Sequence, residues 1–350
     1  IMNKARFILE KKKVVEQYNK LKDLGIKVSY SFKTNREIGK ILEEKCKDCE
    51  FSIHDINEIN MFNEETRKRK LWFFSQAWNK EEIKNVVKGG VKNFVIDNEK
   101  DLEELLSFLN NKDKVNLLLR MKFQEHRIGS GKYFIYGLPS KKINEIVRSL
   151  KNNKSIDRLG IHINRKSQNA SEWEIKSDLE ESLSDETLKR IDIINLGGGF
   201  PIKYRTYTAE ILPYIFEKVK EVKEWLKTKK EEIEVYIEPG RFIAGPPIKL
   251  ETEIIQVYDN IIVINTSIYN CALDTLITDI RLLTEDELRD DEEGIYYKIK
   301  GNTPTRDDIF RHKVKLKEKK VGDKIIFLNA GAYNYTTDFC SLENLETIIF

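Results

Sequence analysis

Three short stretches of this 350-residue sequence combine residue types that can do chemistry together. In "YSFKTN", Lys33 follows an apolar run. A lysine in a partly desolvated mouth at a strand end is suited to forming a Schiff base. In "NLGGGF", the successive Gly197, Gly198 and Gly199 leave room for backbone N–H groups to approach an oxyanion such as phosphate. In "IEPGR", Glu238 and Arg241 flank the Pro239 and Gly240 turn. The arginine suits a phosphate, and the carboxylate suits a protonated nitrogen. Each stretch alone has a plainer reading: a solvated charge, a permissive loop, a surface turn with an ion pair. Jointly they meet the needs of pyridoxal phosphate, whose ring acts as an electron sink when a carboxylate keeps its nitrogen protonated.

The surrounding elements set these stretches at one place. Between residues 26 and 238, short β-branched or aromatic runs alternate with charged, helix-period stretches, the pattern of βα units on a parallel sheet. The runs are "IKVSYSF", "EFSIH", "LWFFS", "NFVID", "VNLLLRM", "LGIHI", "DIINL" and "VYIEP". Eight such units predict an α/β fold with a closed (β/α)8 TIM barrel over residues 11–240. Lys33, the glycines and Glu238 then all fall at the carboxyl ends of strands, where such barrels carry their sites. In "EKDLEELLSFLNN", Leu102, Leu105, Leu106 and Leu109 share one helical face behind an acidic first turn. After Pro239 the rhythm changes to "IKLETEIIQVYD", "NIIVINTSIY", "GIYYKIKG" and "KIIFLNAGAY", which predicts a second, all-β domain over 241–350. The opening "ARFILE" reads as a strand, so residues 1–10 are expected to join that β-sandwich or barrel domain.

Composition excludes several functions. With 61 Lys+Arg against 58 Asp+Glu, the net charge of +3 offers no basic excess for nucleic acid. No run approaches a membrane span and the first residues show no secretion signal, so a cytoplasmic protein with no membrane partner is expected. Four cysteines do not make a disulfide scaffold, and the lone pair Cys46 and Cys49 reads as two ordinary thiols at a helix end rather than half a metal site.

At these same residues the sequence resembles the alanine-racemase-fold pyridoxal-phosphate decarboxylases of ornithine, diaminopimelate, arginine and carboxynorspermidine. Its motifs follow in order across nearly the whole chain. The resemblance implies the cofactor Schiff base at Lys33, phosphate contacts from Gly197, Gly198, Gly199, Arg241 and Tyr333, and Glu238 on the pyridine nitrogen. "VIDNEKDLEEL" matches a segment in which Asp97 and Glu99 open a helix, "LLLRM" places Arg120 beneath the cofactor, and "YFIYGLPS" matches the loop and helix after the fifth strand. It further implies a small amino-acid substrate and a head-to-tail homodimer with shared active sites. Three positions depart from the family pattern. In "LGIHINRKSQN" the ring-stacking histidine falls at Asn164, with His162 two residues earlier on the same face, while Ser167 keeps the phosphate-contact serine. In "GNTPTRDDIF" the cysteine that protonates the substrate Cα falls at Pro304 and an acidic substrate contact at Thr305, leaving Asp307 as a replacement carboxylate and Asp308 as the family's trailing aspartate. In "FSIHD" the customary aspartate is Ser52. The expected activity is decarboxylation of a basic or diamino amino acid, with Asp274, Asp307 and Asp308 available to a distal ammonium. The alternatives are a racemase using Tyr269 or Cys271, and a catalytically silent regulatory homologue.

Overall fold

A computed structural model of the chain describes residues 4–110, 113–123, 135–335, 337 and 339–350. Tyr133 and Phe134, at the start of "YFIYGLPS", lie outside the described residues. The chain divides into two compact units, one of residues 18–200 and 210–240, the other of the segment up to Gln17 with 201–209 and 241–350.

The first unit is a closed barrel of eight strands, each parallel to its neighbours. With β1 being Arg6–Leu9 of the other unit, the barrel strands are β2 (Lys27–Ser31), β3 (Glu50–Ile53), β4 (Leu71–Phe74), β5 (Asn93–Ile96), β6 (Val115–Met121), β7 (Ile156–Ile163), β8 (Ile193–Asn195) and β9 (Glu234–Ile237). All eight sequence runs are strands, and β2 closes the barrel on β9 with Lys27 opposite Tyr236. The cluster of Trp72, Val95, Leu118, Ile193 and Tyr236 draws on strands around the ring and therefore fills its interior, with Phe74 packed against it. The helix Glu99–Leu109 buries Leu102, Leu105 and Leu109, and its N-cap is Asn98, whose side chain accepts from Asp101 N–H. Cys46 caps the helix Arg36–Lys45, and both it and Cys49 are buried free thiols whose pKa values burial pushes up.

The second unit is a curled sheet of β10 (Ile248–Tyr258), β11 (Ile261–Ile264), β12 (Leu283–Thr284), β13 (Ile295–Lys300), β14 (Ile309–Leu316), β15 (Lys324–Leu328) and β16 (Glu346–Ile349), running β12-β15-β10-β11-β13-β14. β1 joins it as expected, antiparallel to β10 and parallel to β16. Residues 11–17 and 201–209, which the sequence rhythm counts with the barrel, group with this unit. Two contacts give the reason: Gln17 Nε2 donates to Phe242 O at 2.7 Å, and Arg205 N–H donates to Arg281 O at 2.9 Å. "NIIVINTSIY" is not one strand. It stops at Ile264, and Ser267 opens the short helix Ile268–Cys271 by accepting from Tyr269 N–H in a capping box with Asn270. β14 went unread because Arg311 interrupts its apolar alternation; that arginine is buried and forked by Glu287 at 2.7 and 2.6 Å. Among the described residues no helix is long and apolar enough to cross a membrane.

Candidate active site

Lys33 lies in the single turn Phe32–Thr34 directly after β2. Phe32 and Thr34 are buried on either side, and Asn35 caps the following helix through Glu37 N–H at 3.0 Å and Ile38 N–H at 3.3 Å. The backbone of Lys33 is thereby clamped while its side chain is exposed, more open than the partly desolvated lysine expected from sequence.

Glu238, directly after β9, is the hub of the barrel mouth. Its Oε1 accepts from Ser52 Oγ at 2.8 Å and Asn195 Nδ2 at 3.0 Å, and its Oε2 lies 2.8 Å from His162 Nε2. Ser29 Oγ meets Ser52 Oγ at 2.8 Å and extends the network under β2. Burial opposes the charged form of Glu238, but the His162 interaction and the Ser52 bond outweigh it and hold the carboxyl below its usual range. Ser52 thus supplies a donor where the family pattern has an acid. His162 is buried with its Nδ1 unpartnered among the described residues.

The same Asn195 also accepts from Gly197 N–H at 2.9 Å, tying the carboxylate to the glycine loop. That loop is a cradle with no room for side chains. Gly197 and Gly199 have φ of 68° and 95°. A Cβ on Gly197 would sit 2.3 Å from Ile163 O, on Gly198 2.7 Å from Glu238 O, and on Gly199 2.7 Å from Lys166 O. From behind, Arg165 donates to Leu196 O at 3.2 Å and Gly198 O at 3.5 Å, with its guanidinium 3.6 Å over the Trp173 ring. Burial pushes Arg165 down to about 9, partly offset by Glu172, so it stays a cation at neutral pH. Arg165→Met keeps the bulk and removes these bonds. We expect pyridoxal phosphate to bind about tenfold or more weakly in an absorbance titration, the scale of one charged hydrogen bond. Unchanged affinity would mean that the loop needs no strut.

Asn164 and Ser167 are exposed beyond β7, whereas His162 is turned inward to Glu238. Arg120 donates to Asp97 Oδ1 at 3.1 Å and lies 5.1 Å over the Tyr136 ring. Gly137 N–H donates to the same Asp97 oxygen at 3.0 Å, so Asp97 braces the arginine while Asn98 starts the helix.

In the β unit, two acidic residues expected to meet substrate have other partners. Asp274 is buried and forked by Arg241, with bonds of 2.5 and 3.2 Å. This ion pair raises the arginine's pKa against the effect of burial. Asp308 is fully buried, and its carboxylate accepts from Ile268 N–H at 3.0 Å, Thr303 N–H at 3.1 Å and Thr303 Oγ1 at 2.6 Å. It closes the loop that carries Pro304 through these three bonds. Asp307 is exposed, 3.9 Å from Arg306. Tyr333 has a positive φ of 57° and its ring lies 4.7 Å from the Arg241 guanidinium. Cys271 is buried, burial pushes its thiol up to about 12, and it donates to Ser267 O at 3.0 Å; Tyr269 packs on Phe339. Of the two residues suggested for a racemase, Cys271 is thus held as a buried, protonated thiol. Among the described residues no group of three His, Cys, Asp or Glu could hold a metal.

A lysine on a clamped turn, a side-chain-free cradle and a carboxylate kept charged by its neighbours fit pyridoxal phosphate. Fold and site together define a barrel enzyme of the pyridoxal-phosphate class. The chain belongs to the pyridoxal-dependent decarboxylases, whose pyridoxal binding domain matches residues 11–245. It is similar to a diaminopimelate decarboxylase of Staphylococcus aureus (strain COL), 24% identical over 301 residues that cover 76% of this chain and 67% of that one. A lysine/ornithine decarboxylase from Vibrio vulnificus, solved with putrescine, superposes with a TM-score of 0.81 at 19% identity over 99% of this chain and 94% of that one. An arginine decarboxylase of Paramecium bursaria Chlorella virus, bound to agmatine, gives 0.79 at 19% identity over 99% and 96%. At these identities the solved structures establish the shared fold.

Proposed function

We propose that this chain decarboxylates a basic or diamino amino acid of the ornithine, lysine or diaminopimelate type, releasing the corresponding amine. The observation that carries the cofactor's part is the Glu238 carboxylate with its donors Ser52, Asn195 and His162 on three other strands of the barrel. When bound, pyridoxal phosphate supplies the electron sink that lets a carbon–carboxylate bond break. Lys33 would hold the cofactor. Gly197, Gly198 and Gly199 receive the phosphate, with Arg165 bracing their backbone. Glu238 stays a carboxylate and would accept a hydrogen bond from the ring nitrogen. Arg120 is fixed by Asp97 near the same mouth. The names of the similar proteins, all decarboxylases of basic or diamino acids, support the substrate class. Asp307, exposed where Asp308 is not, is the carboxylate we assign to proton delivery or the distal ammonium. The resemblance also supports a head-to-tail homodimer, which light scattering would test.

The deciding assay measures carbon dioxide release from ornithine, lysine, arginine, diaminopimelate and carboxynorspermidine by the cofactor-loaded protein. Turnover of at least one basic or diamino acid is expected. A loaded protein inactive on all five would overturn the proposed substrate class.

A further inference from the structure

His54 is a histidine that no step above uses, yet it stands among the residues that matter. β2 and β3 pair in register with Ser31 opposite Ser52. Lys33 and His54 each stand two residues beyond that pair, Lys33 in the turn Phe32–Thr34 and His54 just after β3. Ser52, two residues before it, donates to Glu238. Its ring stacks on Phe74 with centroids 4.8 Å apart and planes at 18°, and Phe74 meets the His162 ring edge-on at 5.1 Å. The imidazole is therefore held in a fixed pose with part of its surface open to the mouth.

The charges acting on it come, in order, from Lys33, Glu238, Arg120 and His162. Desolvation by the walls of the mouth is the larger influence, and with the Lys33 charge it pushes the His54 pKa down to about 4. At neutral pH the ring is a neutral base within the influence of the Lys33 charge. Glu58, another acid acted on by the Lys33 charge, has its Oε2 occupied by the backbone N–H groups of His54 at 2.7 Å and Asp55 at 3.1 Å.

We infer that His54 is the acid–base residue that serves Lys33 whenever its Schiff base is made or broken. The inference rests on the reading that Lys33 carries the cofactor. In loading, His54 takes one proton from the Lys33 ammonium. The freed amine adds to the aldehyde carbon, and the oxygen takes that proton back from His54 and a second one from the attacking nitrogen, then departs as water. A C–N bond forms, the C–O bonds break, and the positive charge stays on the new Schiff base. In exchange with substrate, the proton removed from the incoming amine goes to the departing Lys33 nitrogen.

The test follows the rise of the visible Schiff-base band when the full chain, freed of cofactor, is mixed with pyridoxal phosphate. His54→Ala and His54→Gln are expected to load about 100-fold more slowly than the unmodified chain, the usual scale of a lost general base, and to reach the same final absorbance. Imidazole in the buffer should restore much of the rate to His54→Ala and leave the unmodified chain unaffected. Loading of His54→Ala at the unmodified rate would overturn the inference. So would slow loading that imidazole does not restore, since that marks a purely structural role. An unmodified chain that forms no band would overturn the cofactor reading as well, which separates the two failures.

Discussion

Lys33→Ala is expected to abolish the visible band of bound pyridoxal phosphate and to lower decarboxylation by at least about 10⁴-fold, the scale seen when a covalent catalytic group is removed. The prediction is clean because the fold asks little of this side chain. Lys33 is exposed, and the turn that carries it is held by its buried neighbours Phe32 and Thr34 and by the Asn35 cap. Substitution at such a surface position moves stability by no more than about 0.5 kcal/mol. The variant should therefore melt with the unmodified protein while losing the band, as absorbance and calorimetry on the same sample would show. A surviving band would place the Schiff base on another lysine. A lost band with unchanged turnover would show that the reaction does not pass through Lys33.

The sequence made these residues visible to different degrees, for physical reasons. The barrel was legible because each buried strand is a compact β-branched or aromatic run set off by charged helices, and all eight runs became strands. The glycine cradle was legible because only glycine tolerates φ of 68° and 95° with carbonyls under 3 Å from where a Cβ would stand. Partnership across the barrel was not legible. Ser52, Asn195 and His162 come from β3, β8 and β7, and nothing in their spacing says that all three end on Glu238. The Asn that opens "NLGGGF" was the nearest signal, since a polar residue ending an apolar strand has to find a bond inside the barrel. The partners of Asp274 and Asp308 were hidden too. Both read as acids available to a distal ammonium, but the bonds a carboxylate makes depend on the folded loop, and here each accepts bonds within the β unit, from Arg241 and from the Thr303 turn. Arg165 was overlooked because one arginine among 61 basic residues stands out only once its ring partner and carbonyls are known.

Glu238→Gln is expected to lower turnover by about 10²–10³-fold, the scale of removing one preorganised electrostatic partner, while the protein still binds cofactor through Lys33 and the cradle. Glutamine is close in shape, so the change isolates charge. A carboxylate accepts from Ser52, Asn195 and His162 and still favours a protonated ring nitrogen. The amide cannot hold that proton by charge, and its own NH₂ would face donors that now lack an acceptor. The pH behaviour carries a definite sign. Because the folded protein holds Glu238 below the usual 4.5, its contribution to stability is fully present above that value and is lost as pH falls through the lower folded pKa. Comparing the acid limbs of the two unfolding curves should therefore show the unmodified protein losing stability below about pH 4.5 to a greater extent than Glu238→Gln, which has no such group to protonate. Parallel acid limbs would mean that the carboxylate is not held charged by its three neighbours. Full turnover by Glu238→Gln would remove the ring nitrogen from the proposed chemistry.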